Sequence, residues 1–91
     1  MKGEKMDSNL LNYLDSIIQE KLMVCISLQT PIYDYMITTH IYYYTLSDDG
    51  MELYVENDDM ITIYNLDLEI SCDDEECVIM QSGSQIVISP L

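Results

Sequence analysis

Few residues in this chain are of a type that does chemistry, and their spacing narrows the choice further. His40 is the only histidine. A catalytic triad or a His-based metal site needs partners at a recognisable spacing, and none is supplied, so His40 reads as a half-buried strand residue. Cys72 and Cys77 bracket Asp73-Asp74-Glu75-Glu76. Across a hairpin those four residues can bring the two sulfurs together, giving a disulfide in an oxidising compartment and free thiols in the cytosol. Free thiols are expected here, and Cys25, inside an apolar run, is expected to be buried. Two thiols beside carboxylates fall short of a four-ligand zinc site, and the acidic loop lacks the alternating Asp/Asn and Gly pattern of an EF-hand. There is no phosphate-cradling glycine loop, nucleophile elbow or HExxH, and only 3 glycines from which to build a cofactor loop. No catalytic residue, metal ligand or cofactor is expected, and the chain does not read as an enzyme.

What the chain has in excess is carboxylate. Its 91 residues carry 17 Asp or Glu against 3 Lys and no Arg, a formal net charge of −14. Such a chain is repelled by bare nucleic acid and by anionic membrane surfaces, so the expected partner is a positively charged protein. Twelve of the acids fall between Asp48 and Glu76, and no Lys follows Lys21. Most charge runs are simply solvated surface. Here the missing cations argue for use, because small domains ordinarily mix both signs and crowded like charges destabilise the fold.

The elements that must position these acids follow from periodicity. Leu10, Leu11, Leu14, Ile17, Ile18 and Leu22 recur at three- and four-residue intervals, which predicts a helix over residues 8–21, with Asp7 or Ser8 as its cap. Residues 22–28 fit either helix or strand, and a helix running to about residue 28 is slightly preferred, stopped by Thr30-Pro31. From Tyr35 onward the chain reads as strands over 35–46, 51–56, 60–65, 66–71, 77–81 and 85–89, with a turn at Ser47-Asp48-Asp49-Gly50, another at Asn57-Asp58-Asp59 and a hinge near Asn65. Such short connections imply antiparallel neighbours paired as a meander. The fold class is therefore α+β: an N-terminal helix packed on one face of a four- to five-stranded antiparallel sheet, as a single domain over 1–91 with a disordered tail over 1–6.

In this arrangement Glu52, Tyr54 and Glu56 oppose Leu53 and Val55, and Asp67 and Glu69 oppose Leu66, Leu68 and Ile70. Alternate strand residues stand roughly 6.6–6.8 Å apart, so carboxylates are spaced regularly along one face. Asp48, Asp49, Asp58, Asp59, Asp73, Asp74, Glu75 and Glu76 add acidic turns at its edges. Of the 8 tyrosines, Tyr42 and Tyr44 are expected on the side of His40, and Tyr43 on that of Ile41. Tyr33, Tyr35, Tyr54 and Tyr64 are either replacements for the absent Phe or interface anchors. Met36, Met51, Met60 and Met80 read as core filler. The charged start, Met1-Lys2-Gly3-Glu4-Lys5, is followed by no unbroken apolar stretch, and Leu22–Leu28 is too short to span a bilayer, so a soluble cytoplasmic protein is expected.

In length, acidity and single small α+β domain the chain resembles the small phage-encoded anti-defence proteins, among them anti-CRISPR proteins that mimic DNA. That group shares no motif, so the resemblance is one of composition and size and assigns no residue. It implies an inhibitor that fills a Lys- and Arg-lined groove of a nucleic-acid-binding protein, such as an RNA-guided nuclease, in place of phosphates carried at about one charge per 1.7 Å. The residues expected to make that contact are Asp48, Asp49, Glu52, Tyr54, Glu56, Asp58, Asp59, Asp67, Glu69 and the 73–76 loop. Two other readings use the same chain: an immunity protein or antitoxin that neutralises a basic toxin, and a self-assembling protein that pairs through an uncharged surface such as the helix or residues 36–44.

Overall fold

A computed structural model describes residues 8–64, 68–81 and 83–91. The tail expected over 1–6, the hinge near Asn65, and Leu66 and Asp67 lie outside them. The apolar stripe forms α1 (Ser8–Glu20), which buries Leu10, Leu14 and Ile17. The helix ends where Lys21 turns left-handed at φ 55. There the Lys21 N–H donates to the Ile18 carbonyl and the Leu22 N–H to the Ile17 carbonyl, both at 3.1 Å. This paired closure of the last turn is a Schellman motif, and it overturns the preferred helix to residue 28. Met23–Gln29 is strand β1, with Val24 and Ile26 buried. A left-handed Lys costs more than a Gly, so Lys21→Gly should stabilise the protein by about 0.5–1 kcal/mol, read as a raised urea midpoint.

Six further strands follow: β2 (Asp34–Ser47), β3 (Gly50–Val55), β4 (Asp59–Tyr64), β5 (Leu68–Cys72), β6 (Cys77–Gln81) and β7 (Ser84–Pro90). The sheet therefore has seven strands rather than four or five, in the order β4-β3-β2-β1-β7-β6-β5. A simple meander would pair every sequence neighbour. Instead β1 pairs antiparallel with both β2 and β7, and β4 and β5 stand at opposite ends of the strand order. Short loops require only that the chain ends meet, and a curled sheet meets that requirement as well as a flat one. Residues 65–67 alone join β4 to β5, a span of at most about 15 Å, whereas six inter-strand spacings laid flat come to about 29 Å. The sheet must curl.

β2 is the first corner. Its residues 34–40 pair with β1 and its residues 41–47 with β3, and the register shifts between Ile41 and Tyr43. This is a β-bulge with Tyr42 as the extra residue, a device that lets one strand pass from one sheet to another. The bulge also corrects the expected facing of the tyrosines. Ile41 opposes Val55 inside, but Tyr43 now opposes outward Tyr54, and Tyr44 opposes buried Leu53. The chain crosses between the two halves again from β4 to β5.

Inward residues of both halves form one core with the helix: Ile26 and Ile88 from one half and Leu53 and Ile63 from the other pack with Leu14. α1 packs on β5 and β2. Of the four methionines expected in the core, only Met51 is buried; Met36, Met60 and Met80 are exposed. Each of those three sits on an outward or rim position where the alternation of its strand leaves no room inside. Cys25 is likewise half-buried on the outer side of β1, because inward Val24 and Ile26 flank it. Cys72 and Cys77 face each other as a cross-strand pair and are bonded as a disulfide, not free thiols. Among the described residues no helix is long and apolar enough to cross a membrane.

Candidate functional site

The hairpins divide the acids into separate groups. The first flanks α1. At the β5–β6 turn, the Asp73 carboxylate accepts the backbone N–H of Glu75 at 2.7 Å and of Glu76 at 2.9 Å. Those two bonds favour its charged form and hold its pKa below the ordinary value. Asp73 is thus spent on shaping the turn, while Asp74, Glu75 and Glu76 are exposed around it. The disulfide fixes the base of this turn. The helix reaches it through Tyr13, whose hydroxyl donates to the Ile88 carbonyl at 2.9 Å and approaches the Glu75 carbonyl at 3.4 Å. From the same helix Asp15 accepts the Tyr44 hydroxyl at 2.7 Å. Asp48 and Asp49 lie beyond Tyr44 in the β2–β3 turn, exposed, with the Asp49 N–H on Ser47 Oγ at 3.2 Å.

Two tyrosines record the negative field at this end. Burial first, then the charges of Asp73 and Glu76, push the Tyr13 pKa up to about 12. For Tyr44 the hydrogen bond to Asp15 comes first and burial second, again to about 12. Both folded values lie above the ordinary value of about 10. Their stabilising contribution is therefore complete below pH 10 and is lost as pH rises through about 12. The fold should weaken over that window, and Tyr13→Phe and Tyr44→Phe should each remove one late-ionising group from an alkaline ultraviolet titration of the tyrosines.

The second group lies on the outer side of β3. Tyr54 stacks on Tyr43 of β2, ring centroids 4.4 Å apart and planes within 9°. Its hydroxyl donates to Glu52 Oε1 at 2.9 Å, and the Thr45 hydroxyl donates to the same oxygen at 3.2 Å. The bond to Glu52 raises the Tyr54 pKa. The third group is the β3–β4 turn. Asn57 and Asp58 both hold positive φ, 66 and 58, as the two central residues of a type I′ turn must. Asp58 and Asp59 are exposed there, but Glu56 is engaged: its Oε2 lies 2.7 Å from His40 Nδ1 and its N–H donates to Thr39 Oγ1. Among the described residues this is the one contact of a carboxylate with a basic side chain, and Lys21 is the one Lys.

The rows of carboxylates expected on a single face are therefore not continuous. Glu69 is exposed on β5 and opposes Met80, while Asp67 lies outside the described residues. Between β5 and β3 the outer side of the sheet carries Val78, Val87, Ser27 and Met36 in one cross-strand row, none of them charged. The acids that contacts tie to the helix are Asp15, which the strand pattern missed, and the 73–76 turn, reached by Tyr13; Asp48 and Asp49 form a separate turn beyond the end of β2. The signal for Asp15 was its polar place on the outer stripe of α1, but only the packed position of the helix brings it to Tyr44. Compared with known proteins, the chain matches no family model, no curated protein and no solved structure.

Proposed function

We propose that the protein is a non-enzymatic acidic inhibitor that occupies the basic, nucleic-acid-binding groove of a target protein, an RNA-guided nuclease being the kind of target its charge suits. The observation that supports this is the set of exposed carboxylates, without a Lys or Arg partner among the described residues, held on the short β2–β3 and β5–β6 turns. Asp48, Asp49, Asp74, Glu75 and Glu76 have no Lys or Arg partner among the described residues, and turn hydrogen bonds hold the N–H groups of Asp49, Glu75 and Glu76. Rigid, unneutralised anions suit a Lys- and Arg-lined surface, where complementary charge speeds encounter and fixes register. Asp58, Asp59 and Glu69 extend the same field; Glu52 and Glu56, tied to Thr45, Tyr54 and His40, contribute charge from constrained positions. An immunity protein acting on a basic toxin would use the same surface.

The test is capture from a host lysate with wild-type protein beside an Asp74→Asn, Glu75→Gln, Glu76→Gln variant, followed by competition with nucleic acid. Recovery by wild type alone of a nucleic-acid-binding protein, displaced by its own nucleic acid, is the expected result. Equal recovery by both proteins would place the interface elsewhere.

A further inference from the structure

β1, the first half of β2, β7 and the β3–β4 hairpin surround an open cavity of about 260 Å³, and no residue of α1 lines it. Ile26, Leu28, Ile37, Ile61 and Ile86 form its walls. Tyr35 and Met60 also line it while staying 55% and 46% exposed, which places them at its mouth. The one charged lining residue is Asp59, and nearby on the hairpin and at the start of β2 stand Asp58 and Asp34. Ile32 and Tyr33, in the β1–β2 turn, add exposed apolar surface.

Each feature restricts the occupant. Isoleucine and leucine walls favour an apolar group. An apolar cavity of about 150 Å³ already holds benzene, so this one has room for a single large side chain. It is smaller than the roughly 300–1,000 Å³ typical of sites for drug-sized ligands. A carboxylate at the mouth of a chain carrying −14 repels fatty acids and other anionic amphiphiles and favours a neighbouring cation. We propose that this cavity receives one apolar side chain of a basic polypeptide, with the Lys or Arg residues flanking that side chain set against Asp59, Asp58 and Asp34. The inference rests on the reading of the partner as basic and adds the anchor that charge alone does not supply: steering by the field brings the partner in, and burial of one side chain slows its release.

A blocked pentapeptide with Leu between two pairs of Lys tests this against its Ser counterpart, each titrated into isotope-labelled protein and followed by backbone amide shifts. The Leu peptide should bind about tenfold or more tightly than the Ser peptide, the advantage of burying one aliphatic side chain. Its shifts should be largest at Leu28, Ile37, Ile61 and Ile86. Asp59→Asn, an exposed change that leaves the core alone, should weaken the Leu peptide severalfold. Ile86→Phe, which fills the cavity, should erase the preference for Leu while both peptides still perturb the acidic turns. Equal binding of the two peptides, with shifts confined to residues 48–49 and 73–76, overturns the cavity proposal and leaves the basic-partner reading standing. Silence from both peptides overturns the two together.

Discussion

Leu14→Ala should cost about 2–5 kcal/mol, enough to lower the thermal midpoint by roughly 10–25 °C in a domain of this size. Leu14 is 0% exposed in the middle of α1 and packs among core residues of both halves of the sheet. Removing its isobutyl group leaves a void that a curled sheet pinned at two crossings cannot readily collapse. A 13-residue helix is marginal in isolation, so its formation depends on this docking. The loss is a large fraction of the roughly 5–15 kcal/mol that holds an ordinary domain together. The measurement is urea and thermal denaturation of Leu14→Ala beside Asn12→Ala, an exposed change on the same helix that should stay within about 0.5 kcal/mol of wild type. A Leu14→Ala cost below about 1 kcal/mol would mean that the helix is not part of the core that holds the sheet.

The helix and the strands from Tyr35 onward were legible because their periodicity is local. The stripe from Leu10 to Ile17 and the alternation of Leu53 and Val55 with Glu52, Tyr54 and Glu56 each decide burial within a few residues. The turns at Asp48-Asp49 and Asn57-Asp58 carry their own chemistry. Residues 22–28 were ambiguous because Leu22, Cys25 and Leu28 satisfy a helical stripe while Val24, Ile26 and Leu28 satisfy a strand. The choice was made by the left-handed turn at Lys21, a residue that does not announce positive φ as Gly does. The pairing of β1 with β7 was hidden for another reason: no local signal in Met23–Gln29 names a partner some 60 residues away. The bulge at Tyr42 was equally silent, yet it decides which tyrosines face out. It puts Tyr43 beside Tyr54 and turns Tyr44 inward toward Asp15. The acids themselves were visible at once, but which of them meet α1 depends on where the packed helix lies.

Affinity for a basic partner should fall roughly tenfold or more as salt rises from about 0.05 M to about 0.5 M, and most of that fall should appear in the association rate. Exposed carboxylates act through a field that reaches about 10 Å at 0.1 M salt, so screening removes the steering before it disturbs any contact. The variant Asp74→Asn, Glu75→Gln, Glu76→Gln should flatten this salt dependence and associate several-fold more slowly than wild type. Asp73 must be kept, because its carboxylate holds the N–H groups of Glu75 and Glu76 and its loss would unmake the turn along with the charge. Changing Glu52 and Glu56 instead would confound two effects, since one supports Thr45 and Tyr54 and the other pairs with His40. Stopped-flow or surface-binding kinetics against the captured partner separates the rates. An affinity flat with salt, or a neutralised variant that associates as wild type does and only dissociates faster, would mean that the acidic turns touch the partner without steering it. The apolar cavity, with Tyr35 and Met60 at its mouth, would then be the surface that carries the binding.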